Sequence, residues 1–219
     1  MGWGSIGHRH IKNLLKYPDV EIIICTSKKS ISTEIEKRCK IVKLLEDGIK
    51  ETPDIAFITN VTSEHVSTAI KLAEHGINLF IEKPLSHSID HIDELSEIIK
   101  RKKIKVMIGS NFRFHECIKK IKELLDENLI DEIISVRVEC GSYLPDWHPN
   151  EDYRSGYAAQ KELGGGVVLT CIHEIDYLHW FLGQVDEVVS FSGKYLSLIH
   201  ISEPTSPRLI SYAVFCLKK

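Results

Sequence analysis

A chain of 219 residues, 43% hydrophobic and 27% charged, carries enough apolar material for one or two cores. Its formal net charge of −3 and its lack of a basic stripe argue against a nucleic-acid partner, and Arg101-Lys102-Lys103 reads as a solvated helix end. The cysteines at 25, 39, 117, 140, 171 and 216 form no C-x-x-C pair and fall mostly in apolar runs, the pattern of reduced, buried thiols. No apolar stretch is long enough to span a bilayer and the opening does not read as a signal peptide, so a cytoplasmic location is expected.

The chain opens on Gly2-Trp3-Gly4-Ser5-Ile6-Gly7, a G-x-G-x-x-G spacing, and His8 to Lys16 continues as a helix. Such glycines permit a tight turn and let backbone approach a pyrophosphate, with the helix N-terminus facing its charge. A strand should precede this loop, yet only Met1 does, so the first strand of the nucleotide fold is expected to be missing. Val20 to Cys25 reads as a strand, Ile31 to Lys40 as a helix, and Asp54 to Thr59 as a strand bounded by Pro53. Ser63 to His75 reads as a helix with Ser63 as N-cap and Gly76 at its stop. A strand at Ile77 to Ile81, a helix at Ile89 to Lys102 and a strand at Lys105 to Gly109 follow. This alternation predicts an α/β fold with a Rossmann-like, doubly wound parallel sheet over residues 1–110.

Ligands of such sheets bind at the carboxyl ends of the strands, where this chain places Thr59-Asn60, Glu82-Lys83 and Ser110-Asn111. Lys83 follows the apolar run Leu79-Phe80-Ile81 directly, and Pro84 stops the strand behind it. Partial desolvation there suits a lysine to exchange a proton with a substrate hydroxyl or carbonyl. At the end of the second strand a carboxylate would normally hold the adenosine ribose of NAD, but here Cys25 is followed by Thr26-Ser27-Lys28-Lys29. Hydroxyls and lysines suit a 2′-phosphate, which favours NADP over NAD and makes Ser27 and Lys28 cofactor candidates.

Beyond a strand expected at Ile133 to Val138, Gly141 to Pro149 and Glu151-Asp152-Tyr153-Arg154 are rich in aromatic and hydrogen-bonding groups. Trp147, Tyr153 and Arg154 are candidates for a polyhydroxylated ligand, with aromatic faces covering sugar C–H groups; an aromatic-stapled loop is the alternative. The helix around His173 is apolar on most faces, and Asp176 lies one turn later, where it would orient the imidazole or bind another loop. Asp90-His91, His173 and His179 lack metal-ligand spacing, so no metal is expected, and no serine or cysteine nucleophile motif appears.

The glycine loop, Thr59-Asn60 with Thr62 and His65, Glu82-Lys83-Pro84, Asn111-Phe112-Arg113-Phe114, and Gly164-Gly165-Gly166 with His173-Glu174-Ile175-Asp176 together resemble the Gfo/Idh/MocA oxidoreductases over roughly residues 2–195. The resemblance implies a second, α+β domain with an open sheet, incomplete here, over 111–195. It also implies that the complete protein is a homo-oligomer. Lys83 and His173 correspond to the family's catalytic pair. Gly2, Gly4, Ser5, Ile6, Gly7, Thr59, Asn60, His65, Glu82 and Lys83 correspond to its cofactor site, and Asn111, Arg113 and Asp176 lie toward substrate. Many members carry an aspartate three or four positions before the histidine, where this chain has Leu169 and Thr170. The implied function is NAD(P)-dependent hydride transfer at a hydroxyl or carbonyl carbon of a sugar, polyol or nucleotide-sugar. The competing functions are epimerisation or elimination on a retained cofactor, or non-catalytic dinucleotide binding. Residues 196–219 resemble a translated sequencing-library adapter, so natural sequence is expected to stop near Tyr195.

Overall fold

The computed structural model describes residues 3–27, 31, 33–141, 143–147 and 152–190. They divide into two compact units, one of Met1–Gly109 with Glu162–Gly164, the other of Ser110–Lys161 with the described residues from Gly165 onward.

In the first unit, helix α1 (Ser5–Leu14) leads to strand β1 (Ile22–Cys25), a short helix α2 (Thr33–Glu36) and strand β2 (Cys39–Val42). Helix α3 (Leu45–Lys50), strand β3 (Ile55–Ile58), helix α4 (His65–Glu74), strand β4 (Asn78–Ile81), helix α5 (Ile92–Lys102) and strand β5 (Val106–Ile108) complete it. Among the described residues the ladders are all parallel: β1 pairs with β2, and β3, β4 and β5 pair in that order. The alternation of strand and helix is therefore that of a doubly wound nucleotide-binding sheet. Strands β1 and β3 are not paired with each other, and a cavity of about 140 Å³ lined by Ile22, Ile24, Ile55, Phe57, His10 and Leu14 separates them.

The core sits where three strands meet two helices. Ile58 and Ile81 are wholly buried and pack with Leu79, Ala69, Leu72, Leu95 and Ile98. These side chains recur at alternate positions on the strands and at spacings of three and four on α4 and α5, which turns one face of each element inward. A second, smaller cluster joins Trp3 and Ile11 to Ile22, Ile24, Ile35 and Cys39.

The sequence reading differs from the structure between β1 and β2. Ile31 to Lys40 reads as one helix, but the helix is a single turn, and Cys39 opens β2. Four residues of β2 carry their information in pairing with β1, which local periodicity cannot register. Ser63 is not the cap of α4: it lies within a 3-10 turn, Thr62–Glu64, and α4 starts at His65 without a side-chain cap. Gly76 does end α4, in the left-handed conformation at φ 74°.

The second unit contains helices α6 (Glu116–Asp126), α7 (Val167–Thr170) and α8 (Ile172–Leu182), with single turns of 3-10 helix between α6 and α7. The strand expected at Ile133 to Val138 is absent from the described residues: 131–141 has no ladder and Ile134 is 90% exposed. An extended segment becomes a strand only against a neighbour that accepts its hydrogen bonds. Two glycines there and beside it are obligatory. A Cβ on Gly165 would stand 2.2 Å from the Tyr157 carbonyl oxygen and 2.7 Å from the Ala158 backbone. Gly164, in the first unit, has φ +82°, and its Cβ would meet Thr62 Cβ at 2.6 Å.

Candidate active site

Helix α1 begins at Gly4, whose backbone is extended and which supplies no side-chain cap, and its first turn contains no acidic residue. The leading N–H groups of the helix, from Ser5 and Ile6, thus remain available to an anion. A Cβ at Gly4 would touch no described atom within 4 Å, so the space in front of this turn is open. Gly7 is buried within α1, as close helix packing requires. Gly2 and Lys28 lie outside the described residues, and Ser27 is exposed at the end of its loop.

The carboxyl ends of β3 and β4 carry the remaining polar groups. Thr59 is buried, and Asn60 donates its amide to Glu64 Oε2 at 3.2 Å and Thr68 Oγ1 at 3.0 Å. Asn60 Oδ1 is buried and lacks a hydrogen-bond partner among the described residues. An acceptor held in this state suits a ribose hydroxyl or carboxamide N–H, and with the glycine turn it makes the residues present a fit for a dinucleotide.

His65, expected at the cofactor site, is engaged with backbone on both sides of its ring. It is 1% exposed, with Nδ1 2.8 Å from the Pro84 carbonyl and Nε2 3.1 Å from the Asn60 carbonyl. Both ring nitrogens face backbone oxygens, so His65 ties two strand-end loops together from beneath. The Glu82-Lys83-Pro84 turn, whose Pro84 carbonyl faces His65, is held on three sides. The Glu82 N–H donates to Ile58 O at 3.0 Å, Gly109 N–H donates to Ile81 O at 2.8 Å, and the Lys83–Pro84 peptide is cis. Glu82 Oε2 accepts from the Lys83 N–H at 3.2 Å, while Glu82 Oε1 lies 2.6 Å from His10 Nε2. Lys83 is half-buried at the end of this turn.

The second unit groups the other candidates. His173 stacks on Phe112, with ring centroids 4.4 Å apart and planes 8° from parallel. The Asp176 carboxylate accepts from Arg113 Nε and Nη2, both at 2.8 Å, so it binds another loop, one of the two tasks expected of it. This bidentate pairing holds the Arg113 guanidinium charge firmly, and the side chain also lies 5.5 Å from the Trp180 ring centroid. Asn111 begins the 3-10 turn Asn111–Phe114 that carries both Phe112 and Arg113. The Arg154 side chain is turned back onto Asp152, at 2.9 Å, and so is spent on its own loop. Tyr153 is half-buried and Trp147 is 38% exposed.

Cys140 lies against Cys171 and Glu174, and burial, followed by these two acidic neighbours, pushes its thiol up to about 12. Burial likewise raises Tyr177, helped by the Glu174 and Cys140 charges. The expectation of buried thiols holds for Cys39 but not for Cys117, which is exposed on α6. The sequence reading assigns no site role to His10, Glu174 or this thiol pair; His10 has a legible signal, its place one turn beyond Gly7 on the helix that the glycine loop opens.

Residues 1–110 match the model of an oxidoreductase family with an NAD-binding Rossmann fold, and 118–201 match a GFO/IDH/MocA C-terminal domain. The chain belongs to the Gfo/Idh/MocA oxidoreductase family. Among family relatives, the scyllo-inositol 2-dehydrogenase (NAD(+)) of Bacillus subtilis is 28% identical over 200 residues, 88% of this chain and 55% of that one. The 2,7-anhydro-N-acetylneuraminate hydratase of Mediterraneibacter gnavus is 26% identical over 144 residues, 66% of this chain and 37% of that one. In fold, the WlbA dehydrogenase of Bordetella pertussis, solved with NADH and UDP-GlcNAcA, superposes with a TM-score of 0.75 at 17% identity, covering 88% of this chain and 58% of that one. The chain therefore spans about half the length of the relatives it matches. Among the described residues, no helix is long and apolar enough to cross a membrane, and no cluster of His, Cys, Asp and Glu is arranged to hold a metal.

Proposed function

We propose that this chain carries the dinucleotide-binding and proton-transfer machinery of an NAD(P)-dependent oxidoreductase acting on a hydroxyl or carbonyl carbon of a sugar, polyol or nucleotide-sugar. The observation that carries this reading is the Glu82-Lys83-Pro84 turn. It follows buried strand β4, in the same unit as an uncapped glycine-loop helix and the unpartnered Asn60 Oδ1. Ligand crevices of parallel sheets open at this end.

In this reading the first turn of α1 and Asn60 hold the dinucleotide, which when bound accepts or returns hydride at its nicotinamide. Lys83 gives or takes the proton of the reacting oxygen, and His173, its ring fixed against Phe112, shares that transfer. The stacking supports a fixed imidazole more than a freely turning one. Asn111, Trp147 and Tyr153 remain the substrate candidates. Arg113 and Asp176 are assigned to each other, and Arg154 to its own loop. Ser27 and Lys28 favour NADP, with NAD the alternative. Equal or better catalytic efficiency with NAD overturns that preference. We also assign the protein to the cytoplasm and to a homo-oligomer with no nucleic-acid or membrane partner.

Lys83→Ala tests the reading. The variant is expected still to bind dinucleotide and to lose turnover of polyols and sugars by about 10² to 10⁴-fold. Unchanged turnover removes the role of Lys83. A second reading, chemistry on a retained cofactor, takes its support from the similarity of this chain to a hydratase. Release of reduced dinucleotide during turnover decides for the simple dehydrogenase.

A further inference from the structure

Two histidines, His8 and His10, sit on α1 directly after the glycine loop, and the helix separates their tasks. His8 packs on Trp3, with ring centroids 3.9 Å apart. His10 points the other way. Its Nε2 lies 2.6 Å from Glu82 Oε1, and its ring rests on Phe57 and Phe80 at 5.4 and 5.1 Å. Those two phenyl rings stack on each other at 5.0 Å, making a floor that leaves the imidazole little freedom. The side chains of His10 and Glu82 are 19% and 14% exposed, so the pair is largely shielded from water. The other oxygen of Glu82 is engaged by the Lys83 N–H, and Gly109 leaves room for the carboxylate, since a Cβ there would stand 3.1 Å from Oε2.

We propose that His10 is a positioning residue for Lys83: it fixes the Glu82 carboxylate, and through it the turn that aims the lysine, from the same helix whose first turn faces the dinucleotide. This inference rests on the reading of Lys83 given above. It adds a route by which the glycine-loop helix and the proton-transferring side chain keep one alignment. A charge-assisted hydrogen bond in a shielded setting is strong enough to select one carboxylate rotamer, and a small displacement of a catalytic group is costly. His10 need touch neither substrate nor cofactor for this.

The test compares His10→Leu, which removes the donor, with His10→Gln, whose amide nitrogen takes the place of Nε2. Three quantities are read: the acetylation rate of Lys83 by acetic anhydride, followed by mass spectrometry; the affinity for NADH and NADPH; and the split between kcat and KM. His10→Leu is expected to change Lys83 labelling by about threefold and lower kcat by about tenfold, with dinucleotide affinity within about twofold. His10→Gln is expected to restore most of both. In a ¹⁵N spectrum, Glu82→Gln is expected to shift the His10 ring signals even if the leucine variant fails to fold. Labelling and kcat unchanged in His10→Leu, a folded His10→Gln as impaired as His10→Leu, or His10 signals indifferent to Glu82→Gln would each overturn the proposal. Labelling and spectra need no turnover. If they behave as expected while no sugar or polyol is oxidised, the oxidoreductase reading fails and the positioning of Lys83 stands.

Discussion

Arg113 and Asp176 grip each other through two parallel hydrogen bonds of 2.8 Å, joining the 3-10 turn Asn111–Phe114 to helix α8. The turn places Phe112 under His173 while its next residue locks onto α8 one turn beyond that histidine. The ion pair therefore sets the register between the stacking ring and the imidazole.

Replacing Arg113 by lysine keeps the charge but loses the fork. With the pair 40% and 21% exposed, the expected cost is about 1 to 2 kcal/mol, seen as a lower midpoint in denaturant. Trp180 fluorescence is expected to change as well, because the guanidinium lies 5.5 Å from its ring centroid. An unchanged midpoint would show that the pair contributes no more than a solvated one.

The three-glycine run is predicted to divide sharply from the first glycine loop. Gly165→Ala forces a methyl against the fixed backbone of Tyr157 and Ala158, so a loss of about 3 kcal/mol or more is expected. Gly4→Ala meets no described atom, and its stability is expected to stay within about 1 kcal/mol of the parent. Its dinucleotide affinity is nevertheless expected to fall, because the methyl occupies the space in front of α1. Thermal melts with calorimetric binding separate these outcomes.

Ile58 is wholly buried between β4 and α4 neighbours in the main cluster. Truncation to alanine is expected to cost about 2 to 5 kcal/mol, the range for a large aliphatic lost from a packed core. The exposed Ile134, 90% accessible, is expected to tolerate the same change within about 0.5 kcal/mol. Urea unfolding of both variants provides the comparison.

Cys140 gives a pH prediction whose sign is fixed. Its thiol is raised in the folded chain from 9.0 to about 12, chiefly by burial. Below pH 9 both folded and unfolded chains keep the proton, and the full contribution to stability is present. Between about 9 and 12 the unfolded chain releases it first, so stability falls as pH rises through that window. Cys140→Ser is expected to flatten this alkaline loss, and at pH 8 iodoacetamide is expected to reach exposed Cys117 well before Cys140. Equal alkylation rates in the native protein would remove the burial argument.

The parallel α/β alternation was legible because β3, β4, α4 and α5 each bury a periodic apolar face, as Leu79 with Ile81 and Leu95 with Ile98 show. The turn bearing Lys83 was legible for a related reason, since a proline after an apolar run marks where a strand must stop. Strand β2 was not, because Cys39–Val42 is a strand only by virtue of its ladder to Ile22–Cys25. Helix α8 shows the same limit. Its sequence places Asp176 one turn from His173, yet the carboxylate is claimed by Arg113, 63 positions away.

Local chemistry alone thus determined the glycine loop, the strand-end lysine, the family resemblance and most element types, since these depend on spacing and on backbone freedom within a few residues. Which side chains spend their hydrogen bonds on one another was decided only by the tertiary structure. His65 faces two backbone carbonyls, Asp176 holds Arg113, and His10 reaches Glu82 across 72 positions. A polar group's partner is whatever packing brings within about 3 Å, and that distance is set by the whole fold.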